Sequence, residues 1–189
     1  MKTTNIMIVG VGGQGSLLAS KLLGNLLSDE GYDVKVSEVH GMSQRGGSVV
    51  TYVRFGDKVY SPIVDKGECD YIVAFEKIEA ARYASYLKRD GKIIANTQEI
   101  EPMPVITGAL EYPTDALDKL ESLGLSVDAL DALTPAIEAG SAKAVNIVLM
   151  GRLSKYMDIP VEKWTDAIKK SVAPKFAELN LKAFELGRN

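Results

Sequence analysis

The 189-residue chain has one cysteine, one histidine and one tryptophan. A single thiol, Cys69, excludes an internal disulfide and falls short of the four thiolates an iron–sulfur cluster usually needs. A single imidazole, His40, excludes a histidine-rich zinc site, so no metal site is expected. Positive charge is not in excess either: 22 Lys and Arg stand against 25 Asp and Glu, with a pI near 5.3. With no basic run to offset that balance, a nucleic-acid surface is not expected. No apolar run approaches the roughly 18 residues needed to cross a bilayer, so no membrane span is expected. Met1 to Asn5 leads straight into an apolar run, leaving no room for a signal peptide, and a cytoplasmic location is the default expectation. Internal repeats, low-complexity tracts and linkers are also missing.

What remains is ordinary for a globular protein, at 46% hydrophobic and 25% charged residues. The length suits one compact domain over 1–189. The stretch from Ile6 to Arg45 organises the rest. Ile6 to Val9 is a short apolar run ending in Gly10-Val-Gly-Gly-Gln-Gly15, and from Ser16 the residues Leu18, Ala19, Leu22, Leu23, Leu26 and Leu27 recur at helical spacing. Strand, turn and helix follow. Glycines at 10, 12 and 15 satisfy G-x-G-x-x-G, which permits a tight turn, close backbone approach to a ligand and close helix–strand packing.

Downstream, Asp33 to Val39 reads as a second strand and Ser48 to Phe55 as a third, with Gly56-Asp57 turning into Lys58-Val-Tyr60 as a hairpin. Asp70 to Phe75 is a buried-type strand, residues 77–89 a helix, and Lys92 to Asn96 a strand entered through an Asp90-Gly91 turn. Three prolines make Glu99 to Pro113 mostly loop, with an extended piece at Val105 to Thr107. Thr114 caps a helix to Leu123, and Val127 to Leu130 is a last strand. Ser141 to Met157 is a helix apolar on more than one face, either deep in the core or pressed against a partner. Helices over Val161 to Val172 and Lys175 to Leu186 complete a helical final third. The fold class is α/β: a three-layer Rossmann-like domain with a mixed, mostly parallel sheet.

The expected ligand rim lies beyond the carboxyl ends of the strands. It carries Gly12, Gly13, Gln14 and Gly15, then Glu38 with His40, then Glu76, and Asn96 with Thr97. Next to it runs Glu38-Val-His-Gly-Met-Ser-Gln-Arg-Gly-Gly47, dense in glycine and hydrogen-bonding groups. The glycine loop either binds a nucleotide or merely makes the turn. Arg45 either grips a phosphate or carboxylate bidentately or pairs with Glu38 or Glu76. His40 is a proton carrier or a structural imidazole. Ser43 has no base and acid partners, which argues against a serine hydrolase, and no catalytic residue is assigned. Cys69 reads as a packed or surface thiol and Trp164 as core.

The glycine loop and the His40-Gly-Met-Ser-Gln-Arg-Gly-Gly-Ser48 run together resemble the gamma-type subunits of the 2-oxoacid:ferredoxin oxidoreductases. The His40-Gly-Met-Ser-Gln44 form of the second loop, with Asn96 to Pro102 and Glu111-Tyr-Pro113, makes the chain similar, more narrowly, to the beta-type subunit of the indolepyruvate branch, over nearly its whole length. The resemblance implies a subunit inactive alone, working with a large partner that holds thiamine diphosphate and the iron–sulfur clusters. It further implies coenzyme A as co-substrate, ferredoxin as acceptor reached through the complex, and an aryl 2-oxoacid as substrate. Gly12, Gly13, Gln14, Gly15, His40, Ser43, Gln44, Arg45, Glu76 and Asn96 are then the residues expected at the shared site. Alternatives are a gamma subunit serving pyruvate, 2-oxoisovalerate or 2-oxoglutarate, and a free-standing nucleotide-binding module.

Overall fold

A computed structural model describes residues 3–41 and 47–189. In chain order the elements are β1 (Thr4–Val11), α1 (Ser16–Asp29), β2 (Asp33–His40), β3 (Ser48–Gly56), β4 (Cys69–Ala74), α2 (Lys77–Tyr83) and β5 (Leu87–Asn96). Then come α3 (Met103–Ile106), α4 (Ala116–Ser122), β6 (Ser126–Leu130), α5 (Leu133–Ala139), α6 (Val145–Ser154), α7 (Val161–Ser171) and α8 (Ala177–Arg188). The strands make one sheet in the order β2-β3-β1-β4-β5-β6. Only β3 runs against its neighbours, pairing antiparallel with both β1 and β2, while β1, β4, β5 and β6 pair in parallel. β2 therefore points the same way as β1, and the expected mixed, mostly parallel sheet is found.

Alternation along the strands fills two cores. Ile6, Ile8, Val53, Phe55, Val73 and Ile94 face α1 and the C-terminal helices. Met7, Val9, Val50, Tyr52, Ile72, Ala74, Ile93 and Ala95 face α2 and α4. Successive side chains of a strand point to opposite faces, so a stretch buried on both sides is apolar on both, as β1 is from Ile6 to Val9. Trp164 is fully buried, stacking on Phe184 with centroids 5.8 Å apart.

α6 is the helix apolar on several faces, and every residue of it except Arg152 is buried within this chain. It lies deep in the core, so its apolarity is no reason to expect self-association. α6 and α8 meet through two glycines. A Cβ on Gly151 would stand 2.2 Å from the Phe184 carbonyl oxygen, and one on Gly187 2.0 Å from that of Val148. At the other side of α6, Arg152 holds Asp128 of β6 through two bonds of 2.7 and 3.0 Å, and the Tyr156 hydroxyl donates to Asp128 at 2.6 Å.

Four local expectations are corrected. No hairpin forms at 58–60: the Val59 amide donates to the Asp33 carboxylate, and Arg54 donates to the Ser61 and Ile63 carbonyls. Side chains take the backbone bonds a second strand would have needed. The helix expected over 77–89 ends at Tyr83, and β5 starts at Leu87, carrying Asp90 and Gly91 inside the strand. A Cβ on Gly91 would lie 2.9 Å from the Cys69 carbonyl oxygen, so glycine is there for close strand approach, beside a register shift. The extended piece at 105–107 is instead the helical turn α3. The helix α5 was not anticipated; it stops at Gly140, whose φ is +118°, and α6 starts only at Val145.

Candidate functional site

At the carboxyl ends of the parallel strands the chain leaves β1 through Gly12–Gly15 into α1. Gly13 and Gly15 have φ of +100° and +89°, a left-handed conformation that side chains with a Cβ rarely adopt. A Cβ on Gly15 would also fall 2.7 Å from Nδ2 of Asn146, which donates to the Gly15 carbonyl at 3.2 Å. The loop is thereby tied to the first turn of α6, 131 residues away. It is also tied to the second loop, since the Gly12 amide donates to the Gly47 carbonyl at 2.9 Å. The amides of Ser16 and Leu17 precede the intrahelical ladder, which Leu18 and Ala19 begin by donating to the Gly15 carbonyl, and this end carries the positive pole of the helix dipole.

Several residues expected at this rim are spent on structure. Gln14 lies across the ends of β1 and β4, accepting from the Val11 amide at 2.7 Å and donating to the Phe75 carbonyl at 3.0 Å. That is the switch point where an open α/β sheet usually leaves a crevice, and here a side chain fills it. Asn96 is fully buried, donates to the same Phe75 carbonyl at 3.2 Å and accepts from the Ala132 amide at 3.0 Å. Glu76 is 1% exposed. One of its oxygens caps α2 through the Glu79 amide at 3.1 Å. The other, Oε1, receives both the Ile100 amide at 3.2 Å and the Tyr112 hydroxyl. Three donors satisfy a carboxylate whose burial would otherwise be costly. Burial, and then the bond to Glu76, push the Tyr112 hydroxyl well above its ordinary range.

Among the described residues two clefts that share Gly13 and Gly15 open on the rim. One, of about 360 Å³, runs over Gly12, Ser16 and Leu17 to Glu38 and His40. The other, of about 560 Å³, runs over Gln98, Lys143 and Asn146. Glu38 is exposed and accepts from Thr51 at 3.3 Å. His40 is exposed, its Nδ1 3.1 Å from the Gly41 carbonyl. Gly12, Gly13, Gly15 and His40 are thus brought together, with Gln14 and Asn96 bracing the loop through the Phe75 carbonyl and Gln98, while Glu76 holds α2, Ile100 and Tyr112. Ser43, Gln44 and Arg45 lie outside the described residues.

Three contributors were not foreseen. Ser48 donates to the buried Glu79 and lies 3.3 Å from the Tyr83 hydroxyl, pinning the foot of the second loop to α2. Gln98 receives both Gln14, at 3.4 Å, and Asn96, at 3.3 Å. Lys143 lines the second cleft from the segment before α6. Glu76 and Glu79 sit three apart, the spacing of a capping pair, and could have been read that way. Nothing local marks Gln98 or Lys143. Cys69 is buried, and burial pushes its thiol up to about 12, which makes it inert at neutral pH. Among the described residues no group of three or more His, Cys, Asp or Glu could hold a metal ion. None of the described helices is long and apolar enough to cross a membrane.

A family model described as pyruvate ferredoxin/flavodoxin oxidoreductase matches residues 5–189. The chain belongs to this oxidoreductase family. It is 47% identical to the indolepyruvate oxidoreductase subunit IorB of Thermococcus kodakarensis, across 99% of this chain and 95% of that one. It is a subunit of a 2-oxoacid:ferredoxin oxidoreductase. Its fold matches the gamma subunit of a keto/oxoacid ferredoxin oxidoreductase from Geobacter sulfurreducens, with TM-score 0.73, 23% identity, and 97% and 95% of the two chains covered. It also matches part of the 2-oxoglutarate:ferredoxin oxidoreductase of Magnetococcus marinus, solved with coenzyme A bound, with TM-score 0.76 and 19% identity. All of this chain superposes there on 31% of the longer one, so in that oxidoreductase the same fold is one section of a larger polypeptide.

Proposed function

We propose that this chain is the cluster-free subunit of a thiamine-diphosphate-dependent indolepyruvate:ferredoxin oxidoreductase, which converts an aryl 2-oxoacid and coenzyme A to an arylacetyl-CoA while reducing ferredoxin. The observation that carries the reading is the 47% identity to an indolepyruvate oxidoreductase subunit over 99% of the chain. The donor set of this chain does not fit a cluster, since its one thiol is buried. Nor do its described residues offer the carboxylate cluster that a metal-bridged diphosphate would need. Thiamine diphosphate and the clusters, which supply decarboxylation and electron transfer, therefore belong to the large partner.

What this chain contributes is the edge around Gly12, Gly13, Gly15 and His40. Backbone amides at the start of α1 favour an anionic group beside them by about 0.3–1 kcal/mol. With Arg45 of the adjoining loop they would receive a phosphate of coenzyme A. Docked on the partner, the same loops would shut water out of the reaction space.

The test is to produce the chain with and without its large subunit and assay anaerobic reduction of a viologen dye. Activity dependent on both chains, on indolepyruvate and on coenzyme A supports the reading. Preference for pyruvate or 2-oxoglutarate would move it to another branch of the family, and full activity of the large chain alone would overturn it. Arg45→Ala should raise the coenzyme A KM at least tenfold, and an unchanged value removes Arg45 from the site.

A further inference from the structure

Between β5 and α4 the chain makes an excursion whose two feet rest on one atom. The Ile100 amide and the Tyr112 hydroxyl both donate to Oε1 of the buried Glu76. The segment between them is internally bonded: Thr107 to Met103 at 2.9 Å, Gly108 to Val105 at 2.9 Å, and Leu110 to Pro104 at 3.0 Å. Gly108 turns the chain back with φ +74°. The result is a braced knob rather than a slack loop, and what it presents is apolar. Met103, Ile106 and Leu110 are 66%, 61% and 65% exposed. Met103 and Ile106 are three apart on one turn and share a face.

Its surroundings are acidic. From 99 to 121 the chain carries six acids, of which Glu99 pairs with Lys77 and Asp115 with Lys119, leaving Glu101, Glu111, Asp118 and Glu121 without an ion pair among the described residues. A two-fold self-contact through the knob would set Glu101 and Glu111 against their own counterparts, and an anionic lipid surface would meet the same repulsion. Charge complementarity selects a different protein chain. The knob's root adjoins Gln98, which accepts from Gln14 of the glycine loop.

We propose that the Glu101–Glu111 knob is a docking element that seats Met103, Ile106 and Leu110 in an apolar groove of a different protein chain, rimmed by basic side chains. The inference rests on reading this chain as a subunit, and it names the large subunit as the occupant. Apolar side chains already held on a rigid support lose little conformational freedom on docking, which lowers the cost of binding.

The experiment measures binding of the full chain to the purified large subunit by titration calorimetry, with thermal melting of each variant as a folding control. Wild type is expected to bind, the Ile106→Glu/Leu110→Glu pair to bind at least 100-fold more weakly with an unchanged melting temperature, and Glu101→Lys/Glu111→Lys at least fivefold more weakly with a flatter salt dependence. If the glutamate pair does not fold, Ile106→Ser/Leu110→Ser replaces it with the same expectation. Binding of either apolar-replacement pair within twofold of wild type overturns the knob alone and leaves the subunit reading intact. No binding by wild type overturns both. A wild-type dimer that these pairs disperse would make a second copy the occupant and overturn the proposal.

Discussion

The side-chain amide of Gln14 donates to the main-chain carbonyl of Phe75 at 3.0 Å, across the point where β1 and β4 part. In a dinucleotide-binding sheet that position opens into the ligand crevice. Here the glycine loop supplies its own occupant, and the glycine at position 10 makes room for it: a Cβ there would lie 2.8 Å from Gln14 Oε1 and 2.9 Å from Phe75 Cβ. Ligand contact is left to the outer surface of the loop, over Gly13 and Gly15.

Gln14→Ala should therefore cost stability. The Val11 amide loses its acceptor, while the Phe75 carbonyl keeps the Asn96 amide. An unsatisfied buried group costs about 1–3 kcal/mol, and a loss of that size is expected in urea unfolding. Wild-type stability in this variant would show that the crevice is not held by Gln14.

Tyr112→Phe removes one of the donors on Glu76, and a hydrogen bond to a charged group contributes about 1.5–3 kcal/mol at neutral pH. Burial and the Glu76 bond raise the Tyr112 hydroxyl above its unfolded value. The contribution is therefore fully present below the unfolded value of about 10 and is lost as pH rises from there toward the folded one. Wild type should lose stability above about pH 10 more steeply than Tyr112→Phe. Tyr52, Tyr71 and Tyr156 are raised as well but are common to both proteins. Parallel alkaline limbs would contradict the assignment.

Arg152→Met tests the clamp on β6. Burial alone would raise the Asp128 carboxyl, but bonds from Arg152 and Tyr156 outweigh it and hold the group below its ordinary value. That contribution is present above the unfolded value of about 4 and is lost as pH falls through the folded one. Because Tyr156 still donates, a loss of about 2–4 kcal/mol is expected, somewhat under the cost of breaking a fully buried pair. The acid limb of the stability curve should also become shallower, which guanidinium titrations between pH 2.5 and 6 would detect.

Gly151→Ala should be poorly tolerated, since its Cβ would meet the Phe184 carbonyl at 2.2 Å and neither backbone can yield. A loss of at least about 2 kcal/mol is expected. Gly24→Ala in α1 is the contrast: its nearest neighbour would be Val36 Cγ2 at 3.7 Å, so alanine fits and helix propensity should add about 0.5–1 kcal/mol. Thermal melts of the two variants moving in the same direction would contradict this account of the glycines.

The sequence by itself determined the elements whose signal is local. The apolar run of β1, the helical spacing of α1, the turn at Gly12–Gly15 and the two-faced burial of β4 follow from periods of two or about 3.6 within a few residues. The two glycine-rich loops were legible as neighbours because both close strands that point the same way. Tertiary structure decided what their polar residues do. Gln14 meets a carbonyl 61 positions away and Asn146 a glycine 131 positions away, separations at which no local pattern carries information. For the same reason Glu76 and Asn96 read as rim ligands yet are buried braces, and the 58–60 segment reads as a strand yet is held by Asp33, with Arg54 fixing Ser61 and Ile63 just beyond it. A polar side chain takes the partner that burial leaves unsatisfied, and only the packed fold says which partner that is.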